Sequence, residues 1–538
     1  MRLPAVIAPL AVVAAVLGVT GYAVQAPVSN RPLPSSEPSQ LTETVQRLNA
    51  LLVENWSAHG LAPAEPADDL TILRRLTLAI VGTVPSLEEI RRFEKDTRPD
   101  RLAHWTAGLL EDVRFHDYFA ERLARAYVGV EGGQFIVFRR DRFTDWLSEQ
   151  LRKHRPYDGI VRDLIATDGV WTDKPAVNFI SAAYSNDAFD ENKLAGRTVR
   201  AFLGQRIDCA QCHDHPFAHW KQAEFEGLAA CFGKTRMSIV GVDDGRKEPF
   251  EVEDRKTLVK RQVEPAVPFG AEWMPSTGDP RERLAAWVTN PDNRRLDRAI
   301  ANRVWGLIFG KPFLTERPVD DLPDPDEADA DGQNQILDVL ADDFRAHNRD
   351  LRRLVQVIAA SQAFRADSRA ASSGSGSSGS CRWETFPLVR LRPEQVVGSM
   401  LQASTIRTID RNSHLLTRAL RFSRERDFVE DFGDPGENEL GERVGTVPQA
   451  LLRMNGNLQN DLVQPNPFNA TTRIANDAED PAGCVEVAYL VCLTRRPTPE
   501  EAEHFAKEIA GRPKKEREQA VADLMWTLFN STEFSWNH

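Results

Sequence analysis

The chain has 538 residues, with 67 Lys and Arg against 79 Asp and Glu and a formal net charge of −12 that is spread rather than blocked. With no basic stripe visible, that balance argues against nucleic acid or an anionic membrane surface as a partner, since both need clustered cations. The length suffices for about three domains of ~150 residues.

The chain opens Met1-Arg2 and then runs from Leu3 to Val24 with almost no polar side chain. One cation, a long apolar stretch and the small-residue ending Val24-Gln25-Ala26 predict a signal peptide over residues 1–26. Pro27 hinders cleavage there, so an uncleaved N-terminal membrane anchor stands beside that reading; the run approaches the roughly 20 residues needed to span a bilayer. Either way the body is expected to be exported, periplasmic or in the cell envelope, where stable disulfides also form. Residues 27–39, rich in Pro and Ser, read as a flexible tether.

From residue 40 onward helical patterns dominate, and they predict a mainly α, multi-helical two-part body with a small β-hairpin insertion between the parts. Ser86-Leu87-Glu88-Glu89 is a capping box, and Thr498-Pro499-Glu500-Glu501 repeats the device with Pro in the first helical position. Ile300, Val304, Leu307 and Ile308 form an apolar stripe that stops at Phe309-Gly310. Ile336, Leu340 and Phe344 predict a further helix, and Leu351, Leu354, Val355 and Ile358 another. Met237 to Val263 mixes β-branched and charged residues and predicts the hairpin. Ser372 to Ser380 contains only Ser and Gly and reads as a linker. The expected divisions are thus a first domain over 40–275 and a second helical domain in two parts, 276–371 and 381–538.

The run Cys209-Ala210-Gln211-Cys212-His213, followed by Asp214-His215-Pro216-Phe217, carries the most chemistry. Two thiols three residues apart can form thioethers to the vinyl groups of a haem, and the adjoining imidazole can ligate the iron. In a chain of this composition the pattern arises by chance on the order of once per thousand sequences. Haem c bound through Cys209, Cys212 and His213, serving electron transfer or redox chemistry with a protein partner, is therefore the first hypothesis. The opposing iron ligand is sought at Met274, 61 residues after His213. The alternative is an exported structural or interaction module, in which Cys209, Cys212, His213 and His215 make a zinc site or the thiols make a disulfide clasp. Cys231 is placed to pair or pack near the motif. Cys484 and Cys492 fall on one helix about 12 Å apart, too far to bond each other, and read as small buried hydrophobes. Glu327, Asp329, Asp331, Gly332 and Asp338 have the spacing of a calcium loop, but with Glu first, Asp last and two Pro where the incoming helix belongs; a solvated acidic loop is the plainer reading. Asp320-Asp321 is expected to anchor Arg303 or another cation. No hydrolase or phosphate-loop signature is present, and no residue stands out as nucleophile or base.

Several motifs together resemble a known family. Thr71 to Leu78 with Val84-Pro85-Ser86-Leu87-Glu88-Glu89, then Phe202-Leu203-Gly204 leading into Cys209 to Phe217 and Trp220, look like a planctomycete cytochrome-like domain of unknown function. Arg281 to Trp287, Asn302-Arg303-Val304-Trp305, Arg390 to Gln395, Arg443 to Leu451 and Arg496 to Glu500 are similar to its usual companion domain, also of unknown function. The resemblance implies an exported tandem protein with unassigned activity. Two Asp positions of the family pattern are replaced here, within Ala79 to Pro85 and within Arg125 to Gly129.

Overall fold

The computed structural model describes residues 38–538 except 131–137, 187, 239, 254–256, 328–331, 370–380, 410–412, 414, 437–439, 442, 467–468 and 479. The predicted leader (1–26), most of the tether and the Ser/Gly linker lie outside these residues; the first helix, Pro38–Ala58, begins within the tether's end. The chain is mainly α with small antiparallel hairpins, as its patterning predicts. The expected hairpin region holds two: Arg236–Ser238 pairs with Gly241–Asp243, and Glu251–Glu253 with Lys260–Gln262. Among the described residues, no helix is long and apolar enough to cross a membrane.

Both expected capping boxes form. Ser86 Oγ accepts the Glu89 N–H while Glu89 accepts the Ser86 N–H, and Thr498 and Glu501 do the same. The stripe ending at Phe309 belongs to the helix Arg294–Phe309, whose residues from Leu296 onward are all buried. A helix apolar on one stripe only would lie at the surface; burial on every side makes this one the central strut. Trp305 stacks on Phe309 at 4.4 Å and meets Trp383 edge-on at 5.2 Å. The helix stops at Gly310, which adopts φ +85°, and a Cβ there would press to 2.7 Å from Val389. Only Gly meets both demands.

Among the described residues three apolar clusters result, the smallest of them Leu73, Ile90, Phe93 and Leu490. The largest runs from Leu48 to Phe386 and takes in Leu440; the second runs from Leu391 to Phe534 and takes in Leu78 and Val84. The helix Val113–Val128 is tied to the helix Pro393–Ala403 by a buried ion pair of Arg122 with Glu394, which Arg392 reinforces at 3.2 Å.

Candidate functional site

The helix Glu191–Leu203 ends at Gly204, in the left-handed region, whose carbonyl accepts the Leu322 N–H at 2.7 Å. Just beyond, Asp208–Gln211 form a single 3₁₀ turn that carries Cys209. Ile207 and Ala210 are buried, Ala210 completely, whereas Cys209, Cys212 and His213 are exposed. The apolar pair pins the turn to the core and so faces both thiols outward. Gly196 permits this seat, since a Cβ there would come within 2.7 Å of an Asp208 carboxylate oxygen.

The following loop is held by its own polar groups. His213 Nδ1 lies 2.6 Å from the Asp214 carbonyl and donates to it in the neutral ring, which leaves Nε2 as the nitrogen with a free lone pair. The Asp214 carboxylate accepts the Gln222 N–H at 3.0 Å and the Lys221 ammonium at 3.2 Å, and these bonds hold its carboxyl below the usual carboxylate range. His215 donates its N–H to Trp220 O at 2.8 Å, and its Nδ1 accepts the Phe217 N–H at 3.2 Å. The Phe217 side chain is 94 % exposed. His219 packs on Trp220 at 4.2 Å, Trp220 on Phe269 at 6.3 Å, and Phe269 on Trp273 at 6.1 Å. This ring series carries Trp273, and with it Met274, toward the end of the loop. Among the described residues, no hydrogen bond or ring contact joins Met274 to Cys209–His213.

All six cysteines are free thiols. Cys231 packs rather than pairs; burial pushes its thiol up to about 12. Cys484 and Cys492 are buried on the helix Pro481–Leu493, as their spacing predicts. Among the described residues, no three His, Cys, Asp or Glu side chains are grouped so as to hold a metal ion. Of the calcium-loop candidates, Asp338 is paired with Arg294 at 2.8 Å and Glu327 faces Arg317 at 3.8 Å, while Asp329 and Asp331 lie outside the described residues. Glu327 is a solvated surface partner, whereas Asp338 is half-buried between Arg294 and Arg298.

Beside the turn, and lined in part by Asp208 and Gln211, opens a cavity of about 880 Å³. Tyr127, from the stretch where the family pattern places an Asp, lines its wall. Nine Lys and Arg side chains border it against four carboxylates. Asp320 pairs with Arg206 at 2.7 Å rather than with Arg303, so the cation it anchors is the former. Lys193, Arg197 and Arg200 stand at i, i+4 and i+7 of one helix and line one wall. A short basic stripe does exist, therefore, and its helical spacing was the signal that could have revealed this cavity in the sequence. Arg303 and Arg390 gave no such signal, because only the tertiary fold brings them to the same space.

Residues 47–237 match PSCyt2, a protein of unknown function (DUF1549), and residues 280–509 match PSD1, a protein of unknown function (DUF1553). No curated protein and no solved structure matches the chain. Two domains of unknown function thus stand in tandem, with the C-x-x-C-H turn inside the first and the cavity lined from both.

Proposed function

We propose that the chain is an exported carrier of c-type haem, attached through Cys209 and Cys212 and ligated by His213, that acts in electron transfer or redox chemistry with a protein partner. The observation that carries this reading is the outward presentation of both thiols and the imidazole on one short loop, with Ala210 buried between them. A clasp that closes on itself turns its sulfurs toward a metal or toward each other. Here both sulfurs face solvent, open to a group that arrives from outside.

The donor set fits the group. Cys209 and Cys212 would supply the two thioether sulfurs, and His213 would ligate through Nε2, since Nδ1 is engaged by the Asp214 carbonyl. When bound, haem supplies one-electron chemistry at a potential set by its axial ligands and its exposure to solvent. Asp214, fixed by Gln222 and Lys221, orients the His213 ring by holding the loop's path. Met274, which packs on the apolar core beside Trp273, would be the residue to offer a second protein ligand to the group. An exposed loop also leaves the attached group within reach of a partner protein.

The zinc clasp has less support. His215, its fourth ligand, already spends Nδ1 on the Phe217 N–H. The disulfide clasp would have to close two thiols that the turn displays separately.

The test is the absorption spectrum of the full chain purified from an export-competent host with haem-maturation machinery. A Soret band that persists through denaturation is expected in the wild type, and its loss in Cys209→Ala/Cys212→Ala. His213→Ala is expected to keep the attachment and shift the band. A colourless wild type, or one with stoichiometric zinc, would overturn the proposal.

A further inference from the structure

The central helix Arg294–Phe309 buries several polar side chains, and their partners can be traced one by one. Asp297 takes the Arg349 guanidinium at 2.7 and 3.1 Å. Arg298 donates to Asn334 Oδ1 at 2.9 Å. Asn302 donates to Val319 O at 3.0 Å and accepts the Phe313 N–H at 2.8 Å. Trp305 Nε1 is buried without a partner, and Arg303, 8 % exposed, lines the cavity with no hydrogen bond or ion pair among the described residues. None of the Arg303 nitrogens is a buried polar atom left without a partner, so the guanidinium meets solvent inside the cavity and can exchange that water for an anion.

Other cations lining the cavity point the same way. Arg390, on the short strand Val389–Arg390, lines the same cavity, and its guanidinium also has no hydrogen bond or ion pair among the described residues. That side chain crosses directly over Gly445, where a Cβ would collide with it. Lys311 lines the cavity as well, and has no hydrogen bond or ion pair among the described residues. Three cations thus converge on one space, while the nearby carboxylate of Asp320 is already held by Arg206.

We infer that this cavity between the two domains is a binding site for a multiply charged oxyanion ligand, one bearing carboxylate, phosphate or sulfate groups, with Arg303 as its buried anchor and Arg390 and Lys311 as its outer contacts. Planar guanidinium groups bind such groups through paired N–H donors, and a volume of about 880 Å³ holds a ligand of metabolite or small-oligosaccharide size. Arg303 is largely shielded from bulk water by the cavity walls, which strengthens its pairing with an anion. Substituting an unpartnered cation should not weaken the unliganded fold, which is the signature that separates a site from a structural tie.

The site is independent of haem attachment and is tested without it. Thermal melts of the full chain carrying Cys209→Ala/Cys212→Ala are run with inorganic phosphate, with citrate, and with sodium chloride at matched ionic strength. Phosphate or citrate is expected to raise Tm beyond the chloride control, and whichever does so more identifies the tetrahedral or the carboxylate class. Arg303→Met is expected to leave the unliganded Tm unchanged or higher and to weaken the anion response at least tenfold. If Arg303→Met instead lowers the unliganded Tm, its role is structural, and the half-buried Arg390→Gln then decides by the same tenfold loss. No shift beyond chloride with either anion, or a shift that survives both substitutions, would overturn the inference.

Discussion

Ala210 sets the direction of the two thiols beside it. With no room left around its methyl group, Ala210→Leu is expected to cost about 1–3 kcal/mol by overpacking, read from thermal unfolding, and to lower haem incorporation as the turn lifts. The Cys and His residues were legible in the sequence because their chemistry is written in their type and spacing. The role of Ala210 was not, since burial of one methyl between two exposed sulfurs belongs to the folded turn. Arg74 and Arg75 show the same limit. They read as part of a helical motif, yet Arg75 binds the main-chain oxygens of Phe364, Ala366 and His538, and burial pushes its guanidinium down to about 9. Arg303 is the opposite case, a buried cation whose meaning lies in the partner it lacks.

Among elements, the ends of helices were the most readable. Ser86 and Thr498 cap their helices as the S-x-x-E and T-x-x-E patterns require, because a capping box is a local contract between residues three apart. Ser86→Ala is expected to cost about 1 kcal/mol in an unfolding titration. Gly310 was legible as a stop, but not as the point where the strand Val389–Arg390 closes on the helix end. Gly310→Ala should cost roughly 2 kcal/mol or more, since it adds a left-handed backbone penalty to a collision with Val389. The hairpin region held two hairpins where the sequence predicted one: Phe250-Glu251-Val252 reads as strand, but its partner Lys260–Gln262 is wholly polar and lacks the apolar alternation by which a half-buried strand is recognised.

For the whole molecule, patterning indicated the class of fold and the motif resemblance indicated the order of the two domains, while the ties between distant segments came only with the structure. Glu394 is the clearest of these ties. Burial alone would raise its carboxyl, but Arg122 and Arg392 outweigh that and hold it below the ordinary glutamate range. The unfolded chain therefore binds the proton more readily, so the stability from this pair is present above about pH 4 and is lost as pH falls through the lowered folded value. Glu394→Gln is expected to cost about 3–5 kcal/mol at neutral pH and to flatten the acid limb of the stability profile. Haem attachment turns on Cys209 and Cys212. Its most direct test is the intact mass of the full chain, exported through a haem-maturation pathway and then denatured. A mass increased by one haem in the wild type, and by none in Cys209→Ala/Cys212→Ala, is the predicted result; an unmodified wild-type mass from a host that matures a control cytochrome would contradict it.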